Sequence, residues 1–380
     1  FEEAVSGISG LDYVDSINRQ TSAGYPFVLD TKGAKGKGKW FGLEGDIDFS
    51  SQPVAEVRDR VSNLIDKARA GVRLEHIFVD VLKDEKRPIA KVELGKTRQI
   101  MTCPMDFLIA TKMYCGDFIR HVMANRIHNG VAVGIDPFSE WGILKTYMTL
   151  TKDHVMTAGD YSKYDARIPV PIGLAVLRII NRFYAGCPES DNKIREILFQ
   201  DIINSKHLSE GVVYEFFGGN PSGQPLTAIF NSVANLLILT YNAACIERDS
   251  GRTDLRQVFH RTRFSVFGDD NIISYFKGDA HYWDQQVLEE TIPRYIGMSY
   301  TNEAKTDEKL SARTIFDVSF LKRGFRQEGG RVHCPLELSV LKETLLWVRS
   351  GFKQCELEQR IEATLSELAR HGKHVFDECA

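Results

Sequence analysis

Two short runs of carboxylates are the residues of this chain whose type and spacing could do chemistry. One is Phe267-Gly268-Asp269-Asp270-Asn271, set between β-branched and aromatic residues. Adjacent carboxylates at a tight turn repel each other and gain from solvent or from a cation, and Gly268 permits the turn backbone. The other is Gly159-Asp160-Tyr161-Ser162-Lys163-Tyr164-Asp165, with two carboxylates five residues apart after a short apolar run. Either alone reads more readily as a solvated turn or a helix cap. Together they fit two-metal phosphoryl transfer, which needs carboxylates from separate strands converging on ions roughly 4 Å apart. Asp160 and Asp269 are the natural pair.

A third block, Gly218-Gly219-Asn220-Pro221-Ser222-Gly223-Gln224-Pro225-Leu226-Thr227, leads into an apolar stretch with Asn231 as a polar position. Glycine pairs let a backbone approach a ligand closely, and a helix start offers free N–H groups to phosphate. A flexible turn before a buried helix is the plain alternative. The net charge of −3 counts against a polyanionic partner, but Lys32–Lys39 carries four lysines and no acid, and Lys83–Arg98 holds six basic residues against three acidic ones. A basic channel inside a near-neutral body is compatible with both facts.

The elements that must position these groups follow from periodicity. His154–Ala158 is a strand running into Gly159-Asp160, and Phe264–Tyr275 is a hairpin turning at the acidic pair. Ser222–Tyr241 reads as one apolar helix, which would put Asn231, a little over two turns after Ser222, on nearly the same face. Apolar spacing of three and four predicts helices over Val54–Ala70, Phe107–Asn125 and Ile172–Tyr184. The tail after about Arg326 reads as helical, over Leu336–Val348 and then through Leu357, Ile361, Leu365 and Leu368. His76–Val81 is a strand leading into the basic segment, and residues 1–50 read as irregular loops. No segment approaches the roughly 20 apolar residues of a membrane span. Seven dispersed cysteines without a Cys-x-x-Cys pair argue against a disulfide framework or structural zinc and for a reducing compartment. Phe1-Glu2-Glu3-Ala4 has neither an initiator Met nor a signal pattern and reads as an internal cut.

In this order the blocks Asp-x-x-x-x-Asp, Ser-Gly-x-x-x-Thr-x-x-x-Asn and Gly-Asp-Asp resemble motifs A, B and C of viral RNA-dependent RNA polymerases. Thr21-Ser22-Ala23-Gly24-Tyr25-Pro26 is similar to the motif G loop of picorna-like enzymes, and Lys83-Asp84-Glu85 through Lys96-Thr97-Arg98 to their motif F. Lys305 falls at the motif D lysine, and Phe320-Leu321-Lys322-Arg323 resembles motif E. The insect dicistrovirus and iflavirus branch is the nearest likeness.

The resemblance implies an α+β right-hand polymerase fold: fingers at 1–115 and 170–217, a palm with an antiparallel sheet flanked by helices at 116–169 and 218–325, and a helical thumb at 326–380. It implies RNA synthesis on an RNA template from ribonucleoside triphosphates, replicating a positive-strand viral genome with two Mg²⁺ ions, or Mn²⁺. It assigns metal ligation to Asp160, Asp269 and Asp270, and proton donation to Lys305. The ribose 2′-hydroxyl would be read by Asp165, Asn231, Ser222 and Thr227, and the triphosphate gripped by Arg87, Lys91 and Arg98. Thr21, Ser22, Lys83, Lys96, Gly223, Leu321, Lys322 and Arg323 would contact template or primer. A genome-linked peptide primer, the cytoplasm of an infected cell and membrane-associated replication complexes are further implications. Relatives carry an N-terminal segment joining fingertips to thumb, and this chain reads as starting after it. A reverse transcriptase, which shares the palm carboxylates, and a non-catalytic RNA-binding protein of polymerase-like fold are the competing readings. Asp165 and Asn231 invite a 2′-hydroxyl rather than block it, and binding alone requires none of Asp160, Asp269 and Lys305.

Overall fold

The computed structural model describes residues 1–149, 153–251, 255–306, 308–347 and 353–379; Val348, the expected end of the first tail helix, lies outside them. The chain forms two compact units, Phe1–Ala124 with Lys163–Leu237, and Asn125–Ser162 with Ile238–Ala380. Among the described residues the strands in chain order are β1 (Ile77–Leu82), β2 (Gln99–Thr102), β3 (His154–Tyr161), β4 (Lys206–Ser209), β5 (Val212–Glu215), β6 (Arg263–Phe267), β7 (Asp270–Phe276), β8 (Tyr300–Asn302), β9 (Arg326–Glu328) and β10 (Arg331–His333).

In the first unit the sheet order is β2-β1-β4-β5. β1 pairs antiparallel with β2 and parallel with β4, so the basic segment is the excursion that joins β1 to β2. Its base is closed where the Lys83 N–H donates to the Arg98 carbonyl at 2.9 Å. The helix Gln52–Arg69 buries Val54, Val57, Val61, Leu64, Ile65 and Ala68, the stripe that its spacing predicts, against the helices Met105–Ala124 and Glu189–Ile203.

In the second unit an antiparallel sheet runs in the order β6-β7-β3-β8. Met156 and Ala158 of β3 and Ile272 of β7 share a buried cluster with Trp141, Leu144 and Met148 of the helix Pro137–Met148 and with Phe320 and Phe325. The helix Gln285–Ile296 packs against β3 and β8.

Three expectations are corrected. The apolar helix begins at Thr227 and runs to Asp249, because Pro225 and the Gly223 bridge to Thr102 hold the preceding residues in a loop. Ser222 is therefore not on the helix, and the shared-face argument for Ser222 and Asn231 fails. The tail opens with the β9–β10 hairpin before its helices Leu338–Leu346 and Gln354–Leu368, since Gly329-Gly330 supplies a positive-φ turn. Finally, Thr227–Asp249 does have the length and composition of a membrane span, but 67% of its apolar stretch is buried inside the fold, as in a core helix.

Gly159 is fixed by a close approach. A Cβ there would lie 2.0 Å from the Tyr300 hydroxyl oxygen and 2.1 Å from its ring carbon Cζ, because Tyr300 of β8 crosses β3 at this point. Forcing a methyl into a packed site costs about 1–3 kcal/mol, and more where the neighbour is itself buried. Gly159→Ala is expected to lower the unfolding free energy by at least that much, read as a lower urea midpoint at unchanged m, and an unchanged midpoint would show that Tyr300 moves aside freely.

Candidate active site

β3 and β7 bring the two carboxylate runs together. Gly159 stands opposite Asn271, so Asp160, one residue further along β3, lies beside Asp270 at the start of β7. Phe267 pairs with Asp270 across the two-residue turn Gly268-Asp269, and Gly268 takes the positive φ of 63° that such a turn demands of its first residue. Carboxylate oxygens of Asp160, Asp269 and Asp270 all lie within 4.8 Å of one another. Burial, and then the charge of Asp160, push the Asp270 carboxyl up to about 6, while Lys305 and Lys322 pull it down. Three hard oxygen donors whose mutual repulsion is already relieved by ammonium groups form a donor set suited to divalent cations. Lys305 supplies one of these, its Nζ 2.5 Å from Asp160 Oδ2, from a left-handed backbone at φ 56°.

The cluster rests on a polar support that the sequence reading missed. Asn271, directly after the acidic pair, is 1% exposed; its Nδ2 donates to the carbonyls of Gly159 and Asp269, each at 3.1 Å. Its Oδ1 accepts from the Tyr300 hydroxyl at 2.8 Å. One amide thus ties β3, the Asp269 turn and β8 together, and its place next to the carboxylates was the available signal.

The Phe320–Arg323 block is a two-residue hairpin, with Phe320 and Arg323 exchanging backbone bonds of 2.9 Å. Leu321 and Lys322 both adopt positive φ, 54° and 59°, a strained choice for non-glycine residues. Leu321 packs on the core cluster, and Lys322 is near enough to act electrostatically on Asp270. Arg323 points elsewhere, bound to Glu367 at 2.7 and 2.8 Å and to the Cys334 carbonyl at 2.9 Å.

In the first unit Asp165 opens the short helix Tyr164–Arg167, behind the left-handed Lys163. Asn231 Nδ2 donates to Asp165 Oδ1 at 2.5 Å, the pairing expected for a ribose-reading site. Burial raises the Asp165 carboxyl above its ordinary 3.8, and the Asn231 hydrogen bond and the charge of Arg98 oppose it. The expected partners Ser222 and Thr227 are engaged otherwise. The Ser222 hydroxyl oxygen accepts from the Met101 N–H at 3.2 Å, and Thr227 donates to the carbonyls of Pro221 and Gln224. The glycines of this loop serve contacts within the protein: a Cβ on Gly219 would lie 2.6 Å from the Asp165 carbonyl, and one on Gly223 would lie 1.6 Å from that of Met101.

The basic segment converges on its own acid. Arg98, bound to both oxygens, and Lys83 at 3.3 Å hold the Glu85 carboxyl down at about 2, and Arg87 stands 3.7 Å away. Arg87 also donates to the Lys96 carbonyl at 3.1 Å, and Lys91 is exposed on the short helix Ile89–Glu93. Lys37, grouped by sequence with the exposed lysines, is 1% exposed. Its ammonium clasps the exposed Thr21-Ser22 loop through the carbonyls of Asn18, Thr21 and Ser22 and the Thr21 hydroxyl, at 2.7 to 3.1 Å. One further constellation has the connectivity of a nucleophile, base and acid: Ser205, His207 and Asp80 at 2.7 and 2.9 Å. Ser205 and His207 are each 2% exposed, so this network ties β4 to β1 rather than facing a substrate.

The chain, of mixed helix and sheet with a carboxylate cluster at the turn of an antiparallel sheet, has a right-hand polymerase fold. The fold matches that of the Sicinivirus 3Dpol RNA dependent RNA polymerase with a TM-score of 0.79 at 22% identity, over 99% of this chain and 74% of that one. The chain belongs to the viral RNA-dependent RNA polymerase family, which it matches over residues 1–380. It is 34% identical to the replicase polyprotein of Acute bee paralysis virus and 32% identical to that of Drosophila C virus, over 99% of its own length in each case. It spans 20% and 22% of those polyproteins. The picorna-like family and its dicistrovirus branch, expected from the motifs, agree with these relatives. Enzymes of this family generally use divalent metals, and among the described residues the aspartate cluster could hold one.

The raised Asp270 carboxyl has a consequence for stability. An acid that holds its proton more tightly when folded stabilises the fold most at low pH, and this contribution is lost as pH rises from about 4 through about 6. In metal-free protein, the unfolding midpoint of the wild type is expected to fall relative to that of Asp270→Asn across this window and to run parallel to it above. Parallel curves at every pH would mean that neither burial nor the charge of Asp160 raises this carboxyl.

Proposed function

We propose that this chain joins ribonucleotides on an RNA template, using ribonucleoside triphosphates, as the replicating enzyme of a positive-strand RNA virus. The carrying observation is the convergence of Asp160, Asp269 and Asp270 at one end of an antiparallel sheet, in a chain that belongs throughout to the polymerase family. Asp160 and Asp269 are the ligands for two Mg²⁺ ions, with Mn²⁺ as the substitute, and Asp270 stands beside them. When bound, the two ions lower the charge cost of the attacking 3′-hydroxyl and of the triphosphate.

The protein's own groups do the rest. Lys305, already within reach of Asp160, gives a proton to the departing pyrophosphate. Arg87, Lys91 and Arg98 hold the triphosphate; Glu85 keeps Arg87 and Arg98 gathered as an internal anion that phosphate would replace. Asp165 and Asn231 accept the ribose 2′-hydroxyl, with Ser222 and Thr227 shaping the loop beside them. Thr21, Ser22, Lys83, Lys96, Gly223 and Lys322 line template and primer, while Leu321, packed on the core, and Arg323, bound to Glu367, hold the Lys322 turn in place. We assign 1–115 and 170–217 to fingers, 116–169 and 218–325 to palm, and 326–380 to thumb. A genome-linked peptide as primer, and work in the host cytoplasm at membrane-associated replication complexes, complete this reading.

Incorporation of UMP on poly(A) primed with oligo(U) tests the metal assignment. Asp160→Ala and Asp269→Ala should each abolish turnover while remaining folded, and residual activity within tenfold of wild type for both would overturn it. Lys305→Leu should slow the single-turnover rate by roughly 10²–10⁴-fold with little change in nucleotide affinity.

Sugar choice tests the second assignment. A buried hydrogen bond to a charged partner is worth about 1.5–3 kcal/mol, or roughly 10–200-fold. Asn231→Ala and Asp165→Ala should lower the ratio of kcat/KM for UTP over dUTP by that order, chiefly by slowing UTP. An unchanged ratio in both variants would leave the pair as mere support.

A further inference from the structure

The Asp165–Asn231 pair is the end of a longer chain of buried amides. The Leu226 backbone N–H donates to Gln224 Oε1 at 2.7 Å, Gln224 Nε2 to Asn220 Oδ1 at 3.0 Å, Asn220 Nδ2 to Asn231 Oδ1 at 2.9 Å, and Asn231 Nδ2 to Asp165 Oδ1 at 2.5 Å. Gln224, Asn220 and Asn231 are 5%, 4% and 7% exposed.

A carboxamide has a donor end and an acceptor end, and a chain of them can in principle run either way. Here the direction is set at its source. A backbone N–H can only donate, so the Gln224 oxygen must face Leu226 and its NH₂ must face Asn220. The Thr227 carbonyl, which can only accept, takes a second contact from Asn220 Nδ2 at 3.4 Å and fixes the same orientation. Asn231 is left one orientation, with its NH₂ toward Asp165. The far end is held as well, since the Tyr164 hydroxyl donates to the Asn231 carbonyl at 2.8 Å and the Asn220 N–H to the Asp165 carbonyl at 2.8 Å. Burial denies each amide a compensating water, so a reversed link would face oxygen to oxygen.

We infer that Gln224 and Asn220 are positioning residues for sugar selection: they transmit the polarity of the Leu226 N–H through Asn231, so that Asp165 is held as an acceptor for the ribose 2′-hydroxyl. This rests on the reading of Asp165 and Asn231 as ribose contacts. With the relay running as observed, one oxygen of Asp165 is occupied by a donor and the other is offered to the hydroxyl. With it reversed, the Asn231 oxygen would face Asp165, and the carboxyl would have to carry a proton there and lose its ribose preference.

Gln224→Glu tests the relay with almost no change of shape. The introduced carboxylate still accepts from Leu226 but has no hydrogen for Asn220. At neutral pH the UTP over dUTP ratio of kcat/KM should fall by roughly 10-fold or more. Near about pH 6, where a buried glutamate begins to hold its proton, the acid O–H can donate to Asn220, and the ratio should recover toward that of wild type. Wild type is measured in parallel at each pH, because burial raises the Asp165 carboxyl as well, against the Asn231 hydrogen bond and the charge of Arg98. Gln224→Met, which removes the polarity without reversing it, should do less harm than Gln224→Glu. Asn220→Asp provides an independent break, with the same loss and the same recovery at low pH. A role in packing alone predicts the opposite order, Met worse than Glu, and no recovery on acidification; that result overturns the relay. If Asn231→Ala and Asp165→Ala also leave the ratio unchanged, the ribose reading itself has failed. If they lower it while Gln224→Glu and Asn220→Asp do not, only the relay has.

Discussion

Antiparallel pairing of β3 with β7, with Gly159 opposite Asn271, is the constraint on which the aspartate cluster depends. Three carboxylates do not gather on their own; each approach raises the Coulomb cost in a partly buried setting. The sheet supplies the opposing free energy through its ladder and through the apolar contacts of Met156, Ala158 and Ile272 beneath it. Asn271 and Tyr300 then lock the register at the site itself, because a slip of one residue would send Asp160 to the other face. The glycine at 159 is the geometric condition for this, since only a residue without Cβ lets the Tyr300 ring cross the strand.

Around the cluster, unfavourable terms are held in place by neighbours. Lys305 and the Leu321-Lys322 turn adopt left-handed backbone without glycine, and two of these three residues bring positive charge to bear on the carboxylates. In the basic segment the sign is inverted: cations suited to a triphosphate are gathered on Glu85. In both arrangements the protein bears the cost of assembling charge when it folds. Lys37 does a related service in the interior, as a buried cation that spends its hydrogens on backbone carbonyls and so shapes the exposed Thr21-Ser22 loop.

The loop before Thr227 shows why buried polar groups bring specificity. Its glycines permit two close backbone approaches, at Asp165 and at Met101, that carry the loop against the elements it serves. Those approaches seal Asn220 and Gln224 from water, and sealing gives their amide orientations energetic weight. An exposed amide in the same place would rotate at little cost and would transmit nothing.

Much of this was legible in the chain. The hairpin at Asp269-Asp270, the strand before Asp160 and the stripe of Gln52–Arg69 follow from local spacing, because side-chain period and turn chemistry are local properties; the motif residues came from the family likeness. The family likeness grouped Asp165 with Asn231, and the two do meet, although the helix-face argument that placed Asn231 with Ser222 failed once the helix began at Thr227. Tertiary structure alone decided that Ser222 turns to Met101, that Arg323 is held by Glu367, that Lys37 is buried, and that Gln224 and Asn220 join Asn231 in one directed chain. These are contacts between groups distant in sequence or set by burial. Residue type states what a side chain can donate or accept, but only the packed fold states which partner lies within 3 Å and whether water is there to compete.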